Sequence, residues 1–260
     1  MSLEVGQALR DGIDDLTSER GLLFVAVFVL FGLLNTVVSQ SLSLAINRSI
    51  ASALDVPASA MQQQGGFGGA SNALGLELPI AVAAALTVLL WALGTALRVV
   101  AIRSFAFEGP SPLPSAATDN LVPTVLTALG ASVVMTVLLA IGFLLLVIPG
   151  LVLAVLFFFV MQEVALNDSG VVESLKNSID LVGDNIGGVV ALIIVTFALG
   201  AVITLPLGAA SLGLPGSISS ALTTLLGQIA SVFGIAVVTS AYQQAMADEQ
   251  STADQQADEF

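Results

Sequence analysis

Glu163 is the residue of this chain best placed to do chemistry. It stands near the inner end of an apolar run, with Gln162 as its one polar neighbour. Ionisable groups inside a membrane are costly to desolvate and are often functional. A carboxyl so placed could carry a proton or a cation in transit. It could equally form a structural pair with Arg98 or Arg103, or sit hydrated at interface depth. Arg98 lies about one turn inside another apolar run and could extend its aliphatic stem to the surface; Arg103 closes that run. Lys176, the only lysine, falls on an amphipathic stretch with Asp180 four residues on. An exposed pair at that spacing adds only about 0.3–0.5 kcal/mol. Asn35 and Gln40 are expected to hydrogen-bond between helices, and Glu77 to mark the outer edge of the membrane.

No other constellation supports catalysis. The chain has no cysteine and no histidine, which excludes disulfides, thiol chemistry and the usual soft-metal sites. No two carboxylates are spaced to share one intramembrane pocket. The many serines have neither a histidine nor an intramembrane lysine to act as base. Gly65–Gly69 follows no strand, so it is not a phosphate-binding loop. The expectation is therefore a protein that is not an enzyme and has no catalytic residue, cofactor or metal. Asp and Glu number 19 against 6 Lys and Arg, a net charge of −13. Nucleic acid, which needs a basic surface to displace counterions, is excluded as a partner. Such acidity with one lysine is expected of a salt-in halophile, a haloarchaeon for instance, whose cytoplasm screens like-charge repulsion. An ordinary acidic membrane protein is the alternative.

The elements that must position these residues are helices in lipid. Hydrophobic residues make up 56% of the 260 and charged ones 10%, against roughly 25% charged in soluble domains. Six apolar runs cover residues 21–46, 79–102, 122–148, 151–166, 186–208 and 217–241. Most reach the about 20 residues needed to cross a bilayer core of about 30 Å. The fold class is thus all-α: a polytopic membrane bundle of six transmembrane helices with short amphipathic interfacial helices. Residues 1–20 form an amphipathic N-terminal segment, with Ser2 a plausible cap and acidic residues where a secretory signal would be basic. Residues 21–241 form the transmembrane domain. Within it, 47–78 make an outer loop with a low-complexity centre, QQQGGFGG, and 168–185 a cytoplasmic amphipathic helix. On that helix Val171, Val172, Leu175, Ile179 and Val182 make the apolar face, and Glu173, Lys176, Asn177 and Asp180 the wet one. Residues 242–260 make an acidic tail, expected to be disordered. Thr196, Gly200, Thr204 and Gly208, with Gly227, Ala230, Ser231 and Gly234, form small-residue stripes that let helices approach closely; a substrate path is the other reading of them. Pro206 should kink or end its helix.

Six spans put both termini on one side. Arg10, Arg20, Arg98, Arg103 and Lys176 fall on that side and Arg48 on the other, so the termini are expected in the cytoplasm of a multi-pass cell-membrane protein. Asn47-Arg48-Ser49 is then an outward-facing glycosylation sequon close to the membrane. Asn167-Asp168-Ser169 would be cytoplasmic and silent.

Residues Phe143–Asn185 read FLLLVIPGLVLAVLFFFVMQEVALNDSGVVESLKNSIDLVGDN. This stretch resembles the signature of a broad family of six-helix prokaryotic membrane proteins of unassigned function, which is similar to the membrane domain of some glycerophosphoryl diester phosphodiesterases. Ile148, Pro149 and Gly150 match a turn between two spans, Gly170 a second turn, and Glu173, Leu175, Lys176, Ser178 and Leu181 an amphipathic helix. Ser174 replaces an alanine of that pattern, and Asn167 stands where many relatives have an acid. The resemblance implies fold and says little of activity; no phosphodiesterase domain is expected within these residues. Pro149 lacks an N–H and Gly150 tolerates positive φ, so the pair is expected to reverse the chain in minimal length. The function expected is a structural or interaction module that binds a protein partner, a second copy or a lipid of the bilayer. A small transporter or channel using Glu163 is the alternative.

Overall fold

The computed structural model describes residues 3–56, 74–107, 109, 111, 113–211 and 213–258. Its regular structure is helical, with no strand among the described residues. In chain order the helices are α1 (Val5–Thr17), α2 (Glu19–Ala53), α3 (Ile80–Ala106), α4 (Leu121–Leu145), α5 (Val147–Leu156), α6 (Val160–Asn167), α7 (Val171–Asp184), α8 (Ile186–Ser211) and α9 (Gly216–Asp258). Among the described residues, five stretches are long and apolar enough to cross a membrane: α2, α3, α4, α5 with α6, and α9 up to Gln250. The pair α7 and α8, bent by 97°, makes a sixth if it counts as one broken span.

Local chemistry accounts for some of the helix ends. Pro79 precedes α3 and its carbonyl accepts from the amides of Val82 and Ala83; a proline costs nothing where helical N–H groups lack partners. Asn120 precedes α4, and Pro123 lies in that helix's first turn. Asp55 takes a left-handed φ of 54° just after α2. The amide of Val56 returns to the carbonyl of Ala51 at 3.0 Å, the bond that closes a Schellman end.

The chain divides into two compact units. The first holds Met1–Phe24, Thr95–Leu199 and Ser231–Phe260, and contains two apolar clusters. In one, Leu3 and Ala8 meet Phe159, Leu181, Val182, Val189, Leu192, Val237 and Tyr242. In the other, Val99 and Ile102 meet Ala128, Ala131, Phe157, Val160 and Val164. The Phe157–Val164 stretch thus contributes to both. The second unit holds Val25–Gly94 and Gly200–Ala230. There the Thr36 and Thr224 hydroxyls bond at 2.9 Å. Gln40 Oε1 and Ser41 Oγ each accept a backbone amide, from Leu74 and Leu76, at 2.8 Å. Arg48 pairs with Glu77.

Several expectations need correction. The chain reverses at Leu146, whose extended φ/ψ of −163°/147° separates α4 from α5. Pro149 and Gly150 lie in the first turn of α5, where the missing N–H is harmless. Gly150 matters for close approach: a Cβ there would lie 2.5 Å from the ring of Phe143. The fourth span is not one helix but breaks at Phe157–Phe159. At Gly200, Gly227 and Gly234 the small-residue stripes are not packing seams, since a Cβ there would meet nothing within 4 Å; the surroundings of Gly208 lie outside what is described. Close approach occurs instead at Gly12 on Val237 and Gly188 on Leu3. α8 runs through Pro206 to Ser211. The expected disordered tail is helical through Asp258; after Tyr242 it is rich in Ala and Gln and has neither Gly nor Pro, so propensity favours helix. Asn35 is exposed rather than interhelical, whereas Gln40 is buried and its Nε2 donates to Ser220 Oγ of α9 at 3.5 Å, as expected. Ser2 and the centre of the 47–78 loop lie outside the described residues.

Candidate functional site

The site is built on the break in the fourth span. A chain that leaves the helical path frees a carbonyl and an amide, and in an apolar layer both must be bonded within the protein. Ser178 of α7 does this at both ends. Its hydroxyl donates to the carbonyl of Leu156 at 2.8 Å and accepts from the amide of Phe159 at 3.2 Å. Ser178 is fully buried, as is Ser174 one turn earlier. These small side chains form the face that packs inward with Leu181 and Val182, while Val172 and Ile179 are exposed. The division of α7 into one apolar and one wet face is thus corrected: the protein-facing side is centred on its serines.

Beyond the break, α6 carries Glu163 inward to 2% exposure. Oε1 accepts from the Tyr242 hydroxyl at 2.7 Å. Oε2 accepts from Asn167 Nδ2 at 3.1 Å, Asn177 Nδ2 at 3.2 Å and Ser169 Oγ at 3.3 Å. Asn167 Nδ2 also donates to the Tyr242 oxygen at 2.8 Å, and the Phe159 and Tyr242 rings pack in a T-shaped arrangement with centroids 5.6 Å apart. Every partner is a neutral donor, and both carboxyl oxygens act as acceptors. The carboxyl ties α6 to α7 and to the part of α9 after Ala230, all within the first unit.

Glu163 pairs with neither Arg98 nor Arg103. Arg103 Nη2 instead binds Asp168 at 2.6 Å and Thr124 Oγ1 at 3.0 Å. Its Nε donates to the carbonyl of Ala165 at 2.6 Å, and Nη1 donates to the carbonyl of Asp119. Asp168 holds a left-handed φ of 51° directly after α6, and this cluster fixes that turn. Arg98 and Lys176 are exposed. Among the described residues the ion pairs are Arg48–Glu77 and Arg103–Asp168, so the expected Lys176–Asp180 pair is not formed. Of the motif residues, Ile148 is exposed, Leu175 is half-buried and Leu181 is buried. Gly170 precedes α7, with its amide donating to Glu173 Oε2 at 3.3 Å.

A cavity of about 560 Å³ lies elsewhere in the first unit, lined by Asp11, Asp15, Arg20, Phe105, Phe107 and Ser240 among others. Arg20 is committed to backbone. It donates to the carbonyls of Ser104, Phe107, Gly109 and Ser111, serving the end of α3 and the proline-rich linker, which have few donors of their own. Burial raises the Asp15 carboxyl above its ordinary value; Arg20 opposes the rise, and Asp11 and Asp14 add to it.

Sequence reasoning missed Tyr242, Asn177, Ser169, Asp168 and Arg20. Tyr242 carried a usable signal, as the single tyrosine at the end of the last apolar run, where an aromatic ring with a polar tip finds both environments. No group of three or more metal-ligating side chains occurs among the described residues.

A family of domains of unknown function, DUF7847, matches residues 3–245, and the chain belongs to that family. Neither a curated protein nor a solved structure matches it.

Two outcomes follow. Glu163→Leu leaves the Tyr242 and Ser169 hydroxyls and the Asn177 amide without this acceptor and should cost about 2–3 kcal/mol; Tyr242→Phe removes one donor to the same carboxyl and should cost about 1–3 kcal/mol. Glu163→Gln keeps an acceptor oxygen and should cost less than Glu163→Leu. Thermal melts in detergent measure this, and equal losses for the Gln and Leu variants would contradict the network. For Asp15 the folded state binds the proton more tightly than the unfolded state, so its contribution to stability is full at low pH and is lost as pH rises through the raised value. Asp15→Asn should therefore melt above the parent at neutral pH, with the gap closing as pH falls toward 3.8.

Proposed function

We propose that this protein is a non-enzymatic membrane module that presents its cytoplasmic side to a protein partner, a second copy or lipid. The observation that carries the reading is the environment of Glu163. A coupling carboxylate needs a path for water or ions and a capacity to exchange partners. Glu163 is 2% exposed, and both its oxygens are occupied by donors from α6, α7, α9 and the turn before α7. Such a group closes a structure rather than lining a route through it.

The orientation belongs to the same proposal. Arg10, Arg20, Arg98, Arg103 and Lys176 lie on segments of the first unit and Arg48 on the second, in keeping with the positive-inside rule. Exposed Asp14, Glu173, Asp180, Asp184 and Glu249 would then face the cytoplasm and suit a basic partner. The same acidity fits a salt-in, haloarchaeal cytoplasm. On this reading, likeness to the membrane domain of glycerophosphoryl diester phosphodiesterases is a likeness of scaffold.

One observation favours a transporter as the second reading. The fourth span is interrupted and the α7–α8 pair is bent by 97°, and discontinuous helices build the binding sites of many transporters. Against it, the freed backbone groups at the interruption are bonded to Ser178 and not left for a substrate.

Liposome flux separates the two. The parent and Glu163→Gln should both stay at the level of empty vesicles across protons, sodium and potassium. Flux by the parent that Glu163→Gln abolishes would replace the module with the transporter. For orientation, the chain has no cysteine, so single-cysteine variants report cleanly. Asp55→Cys should react with an impermeant maleimide in intact cells and Ala247→Cys only in opened ones; the reverse pattern would invert the topology.

A further inference from the structure

α7 has three faces rather than two. At about 100° of turn per residue, Ser174, Ser178, Leu181 and Val182 share one side and are buried. Val172 and Ile179 share a second, and are 66% and 37% exposed. Glu173, Asp180 and Asp184 share a third and are exposed. Lys176 stands on the seam between the second and third.

The neighbouring span indicates what meets the second face. α7 crosses the direction of α8 at 97°, so with α8 running through the bilayer α7 lies along its surface. Ile186, Val190, Ile194 and Phe197 form an exposed apolar stripe on α8, the side of a span that meets acyl chains. The stripe starts two residues beyond the end of α7. An apolar face beside a lipid-facing stripe, followed by a charged face, is the pattern of a helix half-sunk in the interface.

We propose that α7 lies in the membrane interface with Val172 and Ile179 among the acyl chains, and that Lys176 Nζ binds the phosphate of a bilayer phospholipid. A lysine on the seam between the apolar and watery faces stands at headgroup depth. Its ammonium forms no ion pair among the described residues, although Glu173 and Asp180 lie one turn away on either side. On a chain of net charge −13, one cation at that depth supplies the local complement that a phosphate needs. Ser178 fixes the rotation of α7 by its bonds to Leu156 and Phe159, and so fixes which residues face lipid. The inference rests on the chain crossing the membrane and is independent of whether it acts as a module or a transporter.

The composition makes the test direct. Lys176 is the only lysine, so isotope-labelled lysine marks one side-chain nitrogen. In vesicles of phosphatidylcholine and phosphatidylglycerol, solid-state NMR should show that nitrogen dephased by lipid phosphorus. Spin labels on Val172→Cys and Ile179→Cys should be severalfold more accessible to oxygen than to a water-soluble nickel chelate, with Glu173→Cys showing the reverse. These exposed sites leave the inward face of α7 intact, and melting of each variant verifies its fold. Absence of dephasing would overturn the phosphate contact. Labels at 172 and 179 that behave like 173 would place the face in water, and labels shielded from both reagents would place a protein there; either overturns the interfacial placement.

Discussion

The structure depends on the bonding of one interruption. Between Leu156 and Val160 the fourth span leaves the helical path, and an apolar layer has no water to compensate the lost bonds. Ser178 supplies a donor and an acceptor from a single atom. That obliges α7 to lie against the break and fixes its rotation. The short helix α6 then starts in a set direction and carries Glu163 to a place where α6, α7 and α9 all offer it hydrogen bonds. Arg103 and Asp168 close the far end of α6. The break, the carboxylate and the ion pair therefore act in sequence along one short stretch of chain.

A buried carboxylate with only neutral partners is stable while all its donors are in place, and costly when one is removed. That asymmetry gives specificity. A helix pairing by apolar contact alone can slide or rotate at little cost, but one that must deliver Asn177 and Tyr242 to the same carboxyl cannot. Glu163, Ser178, Arg20 and Arg103 each satisfy groups that the fold itself leaves unbonded.

Much of this was legible from residue types. The apolar runs gave the helices because bilayer thickness sets their length, and Glu163 stood out because a charge in such a run needs a reason. The motif around Pro149, Gly170 and Ser178 covers the interruption and the serine that bonds it. What the sequence did not show was partnership. Arg98 and Arg103 are the nearest candidates by charge, yet the groups that reach Glu163 are a tyrosine 79 residues away and amides that look like ordinary surface residues. The break itself has no breaker: Phe157, Phe158 and Phe159 contain neither Gly nor Pro, so it arises from tertiary bonding to Ser178. Serines on α7 read as polar by composition, although small size and a hydroxyl suit them to the buried face. The helical tail shows the opposite error, where charge was weighed and helix propensity was not.

The central claim is that Ser178 and Glu163 together hold α6 in place. Hydrogen exchange of the protein in nanodiscs, compared between the parent and Ser178→Ala, tests it most directly. The account predicts that amides 160–167 and 171–184 are protected in the parent and lose protection together in the variant, while those of α2 are unchanged. Protection at α6 that is already absent in the parent, or that survives in Ser178→Ala, would contradict it.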